Sequence, residues 1–229
     1  MPVIEFRGAS VAYDGVQTLA PLTATLTEQR IGIIGSNGSG KSTTVRMING
    51  LIEPTTGQVL YDGSVVADNG KDIRKRVGFV FSDAESQIVM PRVADDVAFS
   101  LRRFKLPREE VRRRVDEVLA RFDLTELADN SPHTLSGGEK QMLALASVLV
   151  IEPDTIIADE PTTLLDLRNR RRIIREFAAL EQQLIVVTHD LDMLRDFDRV
   201  LVIDEAHLRF DGSPADAIAF YTDLMDAKP

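Results

Sequence analysis

The chain has 229 residues, 44% of them hydrophobic and 28% charged, which is the balance of a folded globular protein with room for a substantial core. It contains no cysteine, so a disulfide framework, a thiolate zinc site and a thiol nucleophile are all excluded. With 36 acidic residues against 27 basic ones the net charge is -9, which argues against a protein whose main task is to coat nucleic acid.

Apolar runs and helical patterns alternate along the chain in the manner of an α/β protein. Residues 3–6 predict a strand and 31–34 a second, fully buried one, followed by a helix over 40–49 that stops near Gly50. Another short strand is predicted over 77–81. From 83 to 151 strand signals nearly vanish, and helices are predicted over 95–104, 107–122 and 137–151. Pro107 suits the first turn of its helix, and Glu109 and Glu110 suit the positive end of the dipole there. Beyond Pro153 the alternation returns, with strands predicted over 156–158, 184–187 and 200–203. The expectation is a single domain over 1–229, its α/β core built from 1–82 and 152–229, with 83–151 inserted as a helical subdomain. No internal repeat or low-complexity linker interrupts it. The longest apolar run, 142–151, contains Ser147 and falls short of the roughly 20 residues that cross a bilayer. Residues 1–7 lack the basic-then-apolar pattern of a secretory leader, so any work at a membrane is expected to run through another protein.

Gly35-Ser36-Asn37-Gly38-Ser39-Gly40-Lys41-Ser42 fits G-x-x-x-x-G-K-[ST], and it sits between a predicted strand and a predicted helix as that pattern requires. Glycines allow the dihedrals that turn successive amide N–H groups inward, and the helix start adds unpaired N–H groups and a positive dipole end. Lys41 brings a full charge toward β- and γ-phosphates, and the Ser42 hydroxyl is offered to Mg²⁺. The rival is a Gly/Ser-rich turn before a helix.

A second glycine stretch, Leu135-Ser136-Gly137-Gly138-Glu139, precedes the apolar helix at 137, with Ser136 as a plausible N-cap. Alone it reads equally as a second anion-binding helix end or as a commonplace cap on a core helix. Then Ile156-Ile157-Ala158-Asp159-Glu160-Pro161 ends an apolar strand in two carboxylates, which is how a nucleotide-binding sheet delivers a Mg²⁺ partner. Asp166 follows, and Thr188-His189-Asp190 ends the next strand.

This ordered set resembles the ATP-binding-cassette ATPases, from Tyr13 to about Gly212. The resemblance implies a P-loop NTPase (RecA-like) core with a mostly parallel sheet, an antiparallel β edge and an inserted α-helical subdomain. It implies ATP and Mg²⁺ as bound groups. Tyr13 looks like the aromatic that stacks on adenine, and Gly35 to Thr43, including Thr43 itself, like the Walker A loop. Ser42 and Asp159 look like the Mg²⁺ partners. Glu160 looks like the carboxylate that polarises the attacking water, and His189 like the switch histidine on the γ-phosphate. Ser136, Gly137, Gly138 and Glu139 look like the signature that closes on nucleotide held by another protomer, and Asp166 like the D-loop aspartate. Taken singly, Tyr13 is more often a core or surface aromatic, Glu160 reads also as a helix-start carboxylate and His189 as a satisfied strand-end residue. His133 and His207 match no motif and read as structural or exposed.

Three positions depart from the family pattern. Ser82 stands where a glutamine normally follows the strand at 77–81, with Gln87 five residues on. Glu139 replaces the usual signature glutamine, and its carboxylate is expected to point away from phosphate. Leu164 and Leu165 occupy D-loop places where a small residue is common. The stretches 87–91 and 93–99 are similar to ATPases of energy-coupling-factor transporters, which import vitamins and transition-metal ions, and the run at 136–141 is most similar to the biotin module. That resemblance implies an ATPase on the cytoplasmic face of the membrane, paired with itself or a relative, driving a transmembrane coupling protein and a substrate-binding membrane protein, with no nucleic-acid partner. Cobalt or nickel import is the alternative cargo, and a nucleotide-binding switch with negligible hydrolysis, motivated by Ser82, the alternative action. The basic cluster Arg102, Arg103, Lys105, Arg108 and Arg112 to Arg114 reads as a solvated helix face, with a membrane or partner surface as its rival.

Overall fold

A computed structural model describes residues 1–163 and 165–228. Two sheets share one core. The first is antiparallel, ordered β2-β1-β4-β5, from β1 (Ile4–Tyr13), β2 (Val16–Leu26), β4 (Thr56–Tyr61) and β5 (Ser64–Val65). The second is ordered β10-β9-β3-β8-β7-β6, from β3 (Arg30–Ile34), β6 (Val77–Val80), β7 (Thr155–Asp159), β8 (Gln183–Val187), β9 (Arg199–Asp204) and β10 (His207–Gly212). All its pairings are parallel except that of β10 with β9, which forms an antiparallel edge.

The inner strands of the second sheet are buried on both faces, which is why their sequences read as unbroken apolar runs. Ile157, Ile185 and Val187 face the first sheet, while Ile156, Ala158, Leu184 and Val186 face a helical layer. That layer includes α4 (Val93–Leu101), α5 (Arg108–Arg121) and α6 (Gly137–Leu149); α1 (Lys41–Ile48) and α2 (Val66–Arg76) pack on the other side, with the short α3 (Ala84–Gln87) at the junction. α7 (Leu167–Ala178) precedes β8, and α8 (Pro214–Asp226) packs on β9 and β10. Among the described residues of 83–151 every regular element is helical.

The predicted elements are present with shifted ends. The strand at 3–6 runs on to Tyr13, and the helix at 95–104 is α4 followed by a separate 3-10 turn at Arg102–Phe104. Pro107 is the N-cap of α5 rather than a first-turn residue. Three members of the basic cluster pair along α5: Arg113 bonds Glu110 and Glu117, Arg114 bonds Glu110, and Arg112 faces Asp116.

Asp96 on α4 is buried, and its carboxylate accepts from the amides of Val89 and Met90 and the hydroxyl of Ser147. It thereby fixes the loop between α3 and α4 against α6.

Candidate active site

The strand order reverses around β3, which leaves for the far edge of the sheet through β6 and is rejoined by β8 on one side and β9 on the other. Ligands of such sheets sit beyond the C-terminal strand ends at this point. The register makes the placement concrete. Ile33 is level with Val187, and Val187 with Asp159, so the loop after β3 and the carboxyl ends of β7 and β8 emerge together.

The loop after β3 wraps around its own lysine. Lys41 is buried, and its Nζ donates to the carbonyls of Gly35 at 2.9 Å and Ser36 at 2.8 Å. Burial lowers its pKa, opposed by the nearby charges of Glu160, Asp159 and Asp204. Two glycines have no substitute here. A Cβ on Gly35 would lie 1.7 Å from the carbonyl oxygen of Ile203, and Gly40, at φ 103°, would place one 2.7 Å from that of Thr18. Gly40 caps α1 without any side-chain bond, so the first amides of the helix face outward unclaimed. Ser39 Oγ is buried with no partner among the described residues, and Asn37 is exposed beside it. A buried hydroxyl, open helix amides and a buried ammonium around one concave loop are the complement of a bound phosphate.

At the foot of the loop, Ser42 Oγ donates to Asp159 Oδ1 at 2.8 Å, and Arg46 donates to Oδ2 at 3.2 Å. These hard oxygens fit Mg²⁺, which takes one or two carboxylates and completes its shell with phosphate and water. Among the described residues no group of three or more His, Cys, Asp or Glu side chains could hold a metal ion. Arg46 was not anticipated. It lies one helical turn after Ser42 on the same face, and that i,i+4 spacing is the signal that would have found it.

Glu160 follows β7 with φ 54°, a left-handed backbone uncommon outside glycine and concentrated at working sites. Its amide donates to Val187, which anchors it to β8. Glu160 Oε2 meets His189 Nδ1 at 2.7 Å and accepts from Thr163 Oγ1 at 3.2 Å. His189 is mostly exposed and Glu160 mostly covered. Tyr13 is exposed at the tip of the β1–β2 hairpin, whose second strand passes over Gly40 at Thr18.

The other residues singled out by sequence form a second group. Ser136 and Glu139 close a capping box on α6: Ser136 Oγ accepts from the Glu139 amide, and Glu139 Oε2 accepts from the Ser136 amide at 2.7 Å and its hydroxyl at 2.6 Å. The expectation that Glu139 points away is therefore corrected. Its carboxylate turns back onto Ser136, because a helix start offers it two donors. Gly138 packs closely, since a Cβ there would lie 2.3 Å from the Asn169 side chain and would require it to move. Asp166 caps α7 by accepting from the Asn169 amide at 2.8 Å, and it shares a cavity of about 490 Å³ with Ser136 and Glu139. Gly137 has open space around it. Thr43 makes no side-chain hydrogen bond among the described residues, nor does any such bond join 136–139 to 35–43. Leu164 lies outside the described residues.

Ser82 sits in the turn after β6. Gln87 reaches back to this junction, accepting from the Phe81 amide at 3.2 Å and donating to the Ala144 carbonyl at 3.4 Å. Its amide is committed to joining β6 to α6. His133 and His207 are exposed.

Residues 21–163 match the family model described as ABC transporter. The chain is 48% identical over 221 residues to the biotin transport ATP-binding protein BioM of Rhizobium etli, covering 96% of this chain and 98% of that protein. It is 39% identical over 190 residues to the energy-coupling factor transporter ATP-binding protein EcfA1 of Halalkalibacterium halodurans, covering 81% of this chain and 68% of that one. Among solved structures, cbiO1 from Clostridium perfringens, part of the ABC transporter complex cbiONQ, aligns with a TM-score of 0.83 at 31% identity, over 97% of this chain and 93% of that one.

Proposed function

The chain belongs to the ABC transporter family, as the ATP-binding subunit of an energy-coupling-factor transporter, and from that premise we propose that it powers uptake of biotin by hydrolysing ATP between two apposed subunits. ABC transporter ATP-binding subunits are ATPases, and so is this chain. The observation that carries the catalytic assignment is the 2.7 Å contact of Glu160 with His189, at the ends of adjacent strands beside the phosphate loop.

In this reading residues Gly35, Ser36, Asn37, Gly38, Ser39, Gly40, Lys41, Ser42 and Thr43 cradle the triphosphate, and Tyr13 stacks on the adenine. Ser42 and Asp159 hold Mg²⁺, which when bound offsets the charge of the β- and γ-phosphates. Arg46 donates to the same Asp159 carboxylate and steadies it from the side of α1. Glu160 orients and polarises water, and His189 sets the direction of that carboxylate and reaches toward the γ-phosphate. Ser136, Gly137, Gly138, Glu139 and Asp166 meet nucleotide held by a second copy or a relative. Ser136, Glu139 and Asp166 line one cavity to which no residue of 35–43 contributes, and that supports action across a dimer. A transmembrane coupling protein and a substrate-binding membrane protein complete the assembly, with this subunit peripheral at the cytoplasmic face. Among the described residues no helix is long and apolar enough to cross a membrane.

Biotin is favoured by the 48% identity to the Rhizobium etli protein across almost the whole of both chains. The test is purification from membranes with partners identified by mass spectrometry, then uptake of labelled biotin against labelled cobalt and nickel. A biotin-binding membrane partner and biotin uptake that stops in Glu160→Gln support the reading. A cobalt- or nickel-binding partner overturns the cargo and leaves the ATPase assignment standing.

A further inference from the structure

We infer that Asp204 and Lys228 are positioning residues for the phosphate loop, which they hold through the Ser36 hydroxyl. Asp204 ends β9 and is 1% exposed. Its Oδ1 accepts from Ser36 Oγ at 2.7 Å. Lys228, two residues past α8, donates from Nζ to Oδ1 at 2.9 Å and Oδ2 at 2.7 Å. The backbones also touch, because Gly35 lies against the carbonyl of Ile203. From the opposite side Lys41 holds the Ser36 carbonyl. Ser36 is therefore gripped by its side chain from β9 and by its main chain from α1. The first turn of the loop has its place set by both.

Charge makes this pairing matter for nucleotide. Burial raises the pKa of Asp204, but the bonds from Lys228 and Ser36, with Arg209 nearby, outweigh it and hold the carboxyl below its ordinary value. Arg209 is itself engaged with Glu205 at 3.0 Å. Without Lys228 a buried anion would stand directly behind the loop that receives a triphosphate. It would repel that ligand and loosen Ser36 together.

This inference rests on the reading of 35–43 as the nucleotide loop. The experiment is calorimetric titration of the intact chain with MgATP, alongside steady-state kinetics and thermal melts. Lys228→Ala is expected to weaken binding and raise KM about five- to tenfold, with kcat within about twofold. Lys228→Arg is expected to bind as wild type. The double variant Asp204→Asn/Lys228→Ala, which removes the stranded charge and keeps an acceptor for Ser36, is expected to recover to within about twofold. Wild-type affinity in Lys228→Ala overturns the inference, and so does a double variant as weak as the single one. A wild-type chain that binds no MgATP defeats the nucleotide reading itself, and the inference with it.

Discussion

The N-termini of α1 and α6 are both helix starts behind a serine and glycine stretch, yet they are prepared for an anion in opposite ways. At α1 the cap is Gly40, which offers no side-chain bond; Ser39 Oγ is buried without a partner among the described residues, and Lys41 stands inside the loop. At α6 the cap is Ser136, whose amide and hydroxyl are both taken by the Glu139 carboxylate. The first site carries unmet donors and a cation, so phosphate relieves a standing deficit. The second is satisfied and anionic, so phosphate must displace a bond that already exists, worth about 1.5–3 kcal/mol when one partner is charged. On the proposed function, the first end holds ATP by itself. On the same reading, the second engages phosphate only once another subunit brings it there.

The contrast can be broken most severely at the chemistry beside the first site. Glu160→Gln is expected to keep MgATP binding and to lower turnover about 10²–10⁴-fold. Unchanged phosphate release by the purified variant would remove Glu160 from its assigned role. Next in size, Lys41→Ala deletes the ammonium bonded to Gly35 and Ser36. A charged hydrogen bond is worth about 1.5–3 kcal/mol, so affinity for MgATP should fall about 10- to 100-fold in calorimetry. If affinity holds, the open amides alone suffice and the lysine serves to shape the loop.

The two regions were also unequally legible. The parallel strands announce themselves because burial on both faces demands continuous apolar residues, as in Ile156 to Ala158 and Leu184 to Val187. The glycine loop was legible because its pattern is its mechanism. The antiparallel sheet was not, apart from the start of β1. Register shifts between Phe6, Ala9 and Val11 break the alternation that marks a half-buried strand. Its turns did carry a signal, since Asp14-Gly15 and Asp62-Gly63 have the positive φ of two-residue hairpins. α7 was missed because only Ile173 and Phe177 are buried along it, amid arginines. Contacts such as Ser36 with Asp204 join positions 168 residues apart, and no local pattern encodes them. Glu139 was misjudged for a different reason: phosphate repulsion was weighed, and the two donors at its own helix start were not.

A smaller effect tests how the second site is held to α7. Gly138→Ala would drive a methyl against the Asn169 side chain, at a cost of about 1–3 kcal/mol. For a domain of this size that lowers the melting temperature by about 2–4 °C per kcal/mol. Adding Asn169→Ala should restore most of the loss, because the obstruction is that side chain. A single variant as stable as wild type would mean that Asn169 swings aside freely and that the signature glycine is not there for packing.

The smallest effect addresses the contrast itself. Glu139→Gln keeps an acceptor for the Ser136 amide but removes the charge that strengthens both bonds. The cap should weaken by about 1 kcal/mol at neutral pH, and the Ser136 hydroxyl should become easier to recruit, raising turnover at low ATP about two- to fivefold. The pH dependence has a definite sign. Bonds from the Ser136 hydroxyl and amide hold the Glu139 carboxyl below its ordinary value of 4.5. Its contribution to folding is therefore complete above that value and disappears as pH falls through the lower, folded-state pKa. Melting curves of wild type and variant should be separated at pH 7, begin to approach below pH 4.5, and converge only once pH falls through the lower folded-state pKa, where protonation makes the native side chain neutral as well. If the curves coincide at pH 7 and the dependence on ATP is unchanged, the closed cap costs the phosphate nothing, and the two helix starts differ in form without differing in what they ask of the ligand.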